Sequence, residues 1–149
     1  MKSRHGLSIR AATSADASGL SELLTAAGHA TSPIALAERL DAMRQEPGAA
    51  LIAVAWGPPS GLVVLHWYRT PFAARPTAQI TTLLVGPDER RGGIGRLLVK
   101  AAAQAARVAG CGDLELLTPP DQPALREFCR ATGFTEAGQS FVRALRKTG

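Results

Sequence analysis

Arg90-Arg91-Gly92-Gly93-Ile94-Gly95 lies between a stretch that alternates like a strand and a long stretch with helical apolar spacing. A glycine turn that feeds a strand into a helix leaves the first N–H groups of the helix without partners. The helix dipole adds partial positive charge at the same end. Together these hold a phosphate without requiring a particular side chain. Gly92, Gly93 and Gly95 have no Cβ, so an anion can approach the backbone closely. Arg90, Arg91 and Arg96 add charge around it. The competing reading is a plain surface turn with solvated arginines. It leaves the glycines unexplained, because glycine weakens a helix start.

The turn departs from two common phosphate-binding patterns. A nucleoside-triphosphate loop ends in Gly-Lys-Ser/Thr, whereas Gly95 is followed by Arg96-Leu97. A dinucleotide fingerprint requires a small residue where Leu98 stands and a turn directly after the strand. Glu115 lies at the spacing of a ribose-binding acid, but nothing else in that pattern matches.

Around the turn, hydrophobic periodicity predicts one α/β domain over residues 1–149. Leu7 and Ile9 open a first strand. Thr13 and Asp16 form a capping-box pattern ahead of Ala17, Leu20, Leu23, Leu24 and Ala27, with Gly28 as the stop. Ser32-Pro33 starts a second helix whose inner positions are Ile34, Ala37, Leu40 and Met43, ended by Pro47-Gly48. Strands follow over Leu51–Trp56, Leu62–Tyr68 and Gln79–Val85, the first two joined by Gly57-Pro58-Pro59-Ser60-Gly61 as a hairpin. A helix from Gly93 to Ala109 presents Ile94, Leu97, Leu98, Ala101, Ala105 and Val108. The remainder reads as a strand over Leu114–Leu117, a helix over Pro123–Thr132 capped by Gly133, and a last strand over Phe141–Leu145.

Composition narrows the function classes. In 149 residues, 46% hydrophobic and 19% charged content suits a folded globular chain. The net charge of +5 suits a protein that holds a polyanion. No basic stripe is interleaved with aromatics, which argues against nucleic acid. Cys111 and Cys129 make no disulfide framework, and the three histidines have no zinc spacing. There is no transmembrane-length apolar run, and no apolar segment follows the basic N-terminus, so a cytoplasmic location is expected.

The ordered segments resemble the GCN5-related N-acetyltransferase family. Arg90-x-x-Gly93-x-Gly95 matches its Arg/Gln-x-x-Gly-x-Gly/Ala signature. Ile9-Arg10-Ala11-Ala12-Thr13 with Asp16-Ala17 is similar to its opening, and Leu83-Leu84-Val85-Gly86-Pro87 to the strand and turn before the signature. Phe128-Cys129-Arg130-Ala131-Thr132-Gly133-Phe134 resembles its closing segment. The resemblance implies a mixed, mostly antiparallel sheet flanked by helices, with a splayed central strand pair. It implies acetyl-CoA as co-substrate and an amine-bearing acceptor, and a homodimer is common in the family. Leu83, Leu84 and Val85 would then pair with the pantetheine arm. Arg90, Arg91, Gly92, Gly93, Ile94, Gly95 and Arg96 would hold the pyrophosphate, with Gln122 and Phe128 nearby. Ala37-Glu38-Arg39-Leu40 and the Leu114–Phe128 stretch look similar to the aminoglycoside-acetyltransferase branch. A polycationic substrate, however, asks for an acidic pocket, and this chain is basic.

The catalytic positions depart from the family pattern. Many members carry a Glu base where Gln79 or Thr81 stands, and a Tyr acid where Cys129 stands. Neither Gln79 nor Thr81 can act as a base. His66 and Glu115 are alternative bases, because imidazole titrates near neutrality and carboxylates accept protons. Trp56, Trp67 and Tyr68 are candidates for the acceptor pocket. Cys129 reads as a buried small hydrophobe more than as a nucleophile. Two other readings stand beside the enzyme: a non-catalytic acyl-CoA sensor, and a domain that reuses the fold to bind protein or nucleic acid.

Overall fold

The computed structural model describes residues 6–87, 93–119, 121–138 and 140–145. Five strands form one sheet in chain order: β1 (Ser8–Ala11), β2 (Gly48–Val54), β3 (Gly61–Tyr68), β4 (Thr77–Val85) and β5 (Asp113–Leu116). The first four run antiparallel to their neighbours, while β4 and β5 are parallel. A parallel pair needs a crossover, and α3 (Ile94–Val108) supplies it. The other helices are α1 (Ala17–Ala26), α2 (Pro33–Met43) and α4 (Pro123–Ala131). This is the α/β architecture predicted from the sequence.

Local chemistry accounts for the element starts. Thr13 Oγ1 accepts from the Ala15 N–H at 3.3 Å, and Asp16 Oδ2 accepts from the Thr13 N–H at 2.9 Å. Arg10 pairs with Asp16 at 2.8 Å and, with the Thr13 bonds, holds the Asp16 carboxyl below its usual range. That capping box starts a single 3-10 turn, Ser14–Asp16, which leads into α1. Ser32 caps α2, accepting from the Ala35 N–H at 3.2 Å, with Pro33 at the first helical position.

The sheet divides the core in two. On one face, Leu62, Val64 and Ile52 pack against Leu20 and Leu23 of α1 and Leu36 and Leu40 of α2. On the other face, Val63, Leu65, Ala78 and Ile80 pack against Ile94, Leu98, Ala102 and Ala106 of α3. The inner stripe of α3 thus follows a four-residue stride, and Leu97 and Val108 are exposed. In α2, Leu36 is buried and Ile34 is exposed, which reverses the expected inner position. Alanines at 102 and 106 let α3 lie close to the sheet. Gly61 does the same from the sheet side: a Cβ there would meet Leu98 Cδ1 at 2.8 Å.

Strand boundaries differ from expectation at β4, which begins at Thr77 and not at Gln79, and at β2, which ends at Val54 and not at Trp56. Strand β2 begins at Gly48 and not at Leu51, because Gly48 pairs with His66, and a Cβ there would press on Leu65 O at 2.5 Å. The expected last strand at Phe141–Leu145 is absent. The segment has no regular structure, and Phe141, Val142 and Leu145 are each at least 94% exposed. As a strand it would place Arg143 between Phe141 and Leu145 on one face, so its alternation never separates apolar from polar.

Candidate active site

The site is built where β4 changes partners. From Thr77 to Ile80 this strand is paired on both sides, with β3 and with β5. The last link to the β5 side is the Leu117 N–H to Ile80 O, at 3.4 Å. Beyond it, Thr81–Val85 pairs with β3 alone among the described residues. The ladder is also irregular at this point: Val64 faces Thr82 and Leu65 faces Ile80, so Thr81 is an extra residue without a partner. A bulge adds local twist and bends its strand. Here the register shift falls just where β5 stops following β4.

Between the parted strands lies a groove of about 310 Å³. Ile80–Leu84 form one wall. Leu116, Leu117, Pro119, Gln122 and Leu125 form the other, with Leu24 and His29 from the α1 side. Leu83, Leu84 and Gln122, expected from the sequence to lie along a pantetheine arm, line this groove. Val85 packs in the core against α3. His29, in the loop after α1, was not singled out from sequence; a lone loop histidine carries no periodic signal.

The N-terminus of α3 is fixed beside this groove. Gly93 caps it in the left-handed region, at φ +79°, and the first turn carries no acidic residue. Among the described residues, nothing lies within 4 Å of a Cβ built on Gly93. Gly95, expected from the sequence to admit a phosphate, also faces α4. Its missing Cβ makes room for Phe128, whose Cζ would lie 3.2 Å away. Phe128 thus docks α4 on α3, with Ile94 buried beneath. Arg96 also ties the two helices, donating to Ala131 O at 3.5 Å. Arg90, Arg91 and Gly92 lie outside the described residues.

Polar groups gather at the closed end of the groove. His66, Gln79 and Glu115 stand in register across β3, β4 and β5. His66 Nε2 lies 3.1 Å from Thr81 Oγ1, the bulge residue. Gln79 Nε2 donates to Glu115 Oε1 at 3.1 Å, and the Tyr68 hydroxyl donates to the same oxygen at 3.1 Å. Burial and the Glu115 bond together raise the Tyr68 phenol above its ordinary range, burial being the larger cause. A second cavity of about 200 Å³ flanks His66, lined by Ala12, Leu40, Met43, Arg44 and Ala50 among others. Gln79, weak in the sequence as a neutral residue in a base's position, is thus a holder of Glu115.

Cys129 is 8% exposed, and burial pushes its thiol up, with Arg130 opposing. The groove walls in α4 are Gln122 and Leu125, not Cys129. Trp56 is 85% exposed in the hairpin turn and lines neither of these two cavities, and Trp67 packs partly into the core on the α3 face. No group of His, Cys, Asp and Glu among the described residues is arranged to hold a metal ion. No helix among them is long and apolar enough to cross a membrane.

Comparison with known proteins agrees with this geometry. A solved structure described as a putative acetyltransferase from Agrobacterium tumefaciens str. C58 superposes with TM-score 0.82 at 28% identity, covering 92% of this chain and 99% of that one. An aminoglycoside acetyltransferase from an uncultured soil metagenomic sample, solved with sisomicin, shares the fold at TM-score 0.79 and 18% identity, over 95% and 97% of the two chains. The rat protein N-acetyltransferase family 8 member 3 is 30% identical over 100 residues; the match spans 65% of this chain and 44% of the rat protein. The model of the acetyltransferase (GNAT) family matches residues 18–134, and with the parted strands and the glycine-capped helix this establishes that the chain belongs to that family.

Proposed function

We propose that this protein moves an acetyl group from acetyl-CoA directly to a primary amine of a small molecule or a protein. The observation that carries the reading is the parting of β4 from β5 after Ile80, beside the N-terminus of α3. The unpaired edge of Thr81–Val85 can pair with the amides of the pantetheine arm as an added strand would. The first N–H groups of α3, with Gly93 as cap, suit the pyrophosphate. Bound acetyl-CoA supplies a thioester, an acyl group already activated toward amines. The protein then has to hold the amine against it, and positioning alone is worth up to about 7–11 kcal/mol.

Gly93→Val tests the cofactor half. A β-branched residue is strained at φ +79° and would add a side chain at the helix start. Coenzyme A binding by calorimetry should weaken at least tenfold. Unchanged affinity would mean that the phosphates lie elsewhere. Replacing Gly95 is less clean, because a side chain there first strikes Phe128.

A second reading, an acyl-CoA-binding module without turnover, draws support from neutral Gln79 and from Cys129 lying outside the groove lining. Acetyl-CoA consumption across a panel of primary amines separates the two. Tight binding with no amine accepted favours the module.

A further inference from the structure

We propose that Glu115 is the group that receives the acceptor's amino nitrogen, with Tyr68 and Gln79 fixing the carboxylate in place. The inference rests on the acetyltransferase reading above and identifies how that site selects its acceptor. Three observations lead to it. Tyr68 and Gln79, from two different strands, donate to one and the same oxygen of Glu115. The other oxygen, Oε2, makes no hydrogen bond among the described residues, and Glu115 is exposed. The carboxylate is therefore held by one oxygen and offered to solvent by the other.

Its position is the second argument. Gln79 and Glu115 are the register pair immediately before Ile80 and Leu116, where the strands begin to part. One strand residue advances about 3.3 Å, so Oε2 stands about one residue from the closed end of the groove. The third argument is access. The opposite face of the sheet at this level is filled by α3, through Ala78, Ile80, Leu98 and Ala102. An acceptor can arrive only on the face that carries His66, Tyr68, Gln79 and Glu115.

The chemistry balances. The acceptor enters as an ammonium, and Oε2 accepts one of its protons. The nitrogen lone pair forms the C–N bond to the acetyl carbonyl carbon, and the C–S bond breaks with its electron pair passing to sulfur. Sulfur takes the second nitrogen proton, the third remains on the amide, and Glu115 releases its proton to solvent. The acceptor class that follows is a cationic primary amine, as opposed to a neutral nucleophile.

Glu115→Gln keeps the shape and removes the charge, and two acceptors of different charge read out the result. With a lysine-containing peptide or 1,5-diaminopentane, kcat/KM should fall at least a hundredfold. With hydroxylamine, which is neutral at pH 7.5, the rate should change less than threefold, and acetyl-CoA affinity by calorimetry less than twofold. Tyr68→Phe removes one of the two donors and should lower the amine rate about threefold to tenfold, mostly in kcat. It also serves if Glu115→Gln folds poorly. Amine rates unchanged in both variants would overturn the proposal. So would an equal fall for amine and hydroxylamine with acetyl-CoA binding intact, because the role would not be reading charge. Failure of the unaltered protein to bind acetyl-CoA is a separate result that rejects the acetyltransferase reading itself.

Discussion

The two halves of β4 obey different rules. Thr77–Ile80 has neighbours on both sides, and Ala78 and Ile80 within it are buried under α3. Thr81–Val85 keeps only β3, and every side chain in it is at least partly exposed. Composition hardly distinguishes the halves; each mixes polar with apolar residues and carries β-branched side chains. What separates them is one extra residue and the loss of one partner strand. The first half is held between two strands, and the second leaves an edge that, in the proposed function, a ligand completes.

The largest effect that should separate the halves is in core volume. Ile80→Ala empties a site that is 1% exposed and should cost about 2–5 kcal/mol of unfolding free energy. Leu83→Ala, three residues on, removes a partly exposed groove wall. It should cost less than about 1.5 kcal/mol in stability while weakening coenzyme A binding several-fold. Denaturant unfolding and calorimetry on the two variants measure the contrast. Equal stability losses would mean that the second half is core like the first.

How much of this contrast could be read in the sequence depends on the kind of signal. Strand and helix identity came through periodicity and turn residues, as with Ser32-Pro33 and Gly57–Gly61. The glycine turn marked the start of α3, which Gly93 caps, and the family signature pointed to the fold. The bulge at Thr81 was not legible. It is set by register between two strands, and Gln-Ile-Thr-Thr-Leu-Leu reads as unbroken strand. The carboxylate was half legible. Glu115 was a candidate by residue type, but its Tyr68 and Gln79 partners come from strands distant in sequence. The last strand was misread because Phe141, Val142 and Leu145 look apolar enough to pair, and only a partner edge decides whether they do. That Gly95 also makes room for Phe128 was not legible, because α4 comes from a distant part of the sequence.

Deleting Thr81 sharpens the comparison directly. Val64 already faces Thr82, and Leu65 already faces Ile80. Removing the extra residue therefore leaves both registers and both faces unchanged, and only the bend is lost. The variant should fold, with a melting temperature within a few degrees of the parent. Its β4 would run straight alongside β5, close the groove, and weaken coenzyme A binding at least tenfold, about 1.4 kcal/mol. Retained binding would show that β4 and β5 part because the Leu117–Pro119 side turns away, with the bulge incidental. The deletion also removes the His66 partner, Thr81 Oγ1, so the amine rate should fall further than affinity does.

The smallest effect belongs behind the groove, at Cys129. The family resemblance puts an acid at this position, yet the thiol is buried in α4, and burial raises it above the usual thiol range. A protonated thiol is a poor nucleophile, and a Cys side chain is far shorter than the Tyr it replaces. Cys129→Ala should lower the transfer rate less than tenfold, below the roughly 10²–10⁴ that a general acid contributes. It should cost about 1 kcal/mol of packing. The pH dependence has a definite sign. A folded-state thiol raised by burial adds stability that is fully present below the ordinary thiol range. That stability is lost as pH rises through it, because the unfolded chain ionises first. The Ala variant should therefore close part of its stability gap to the parent above about pH 9. Direct transfer makes one further demand of this residue. Incubation with acetyl-CoA and no amine should leave the intact mass unchanged. A protein heavier by one acetyl group, whose Cys129→Ala variant has lost all activity, would replace direct transfer with a two-step mechanism through the thiol. It would also move the chemistry from the open half of β4 to the helix behind it.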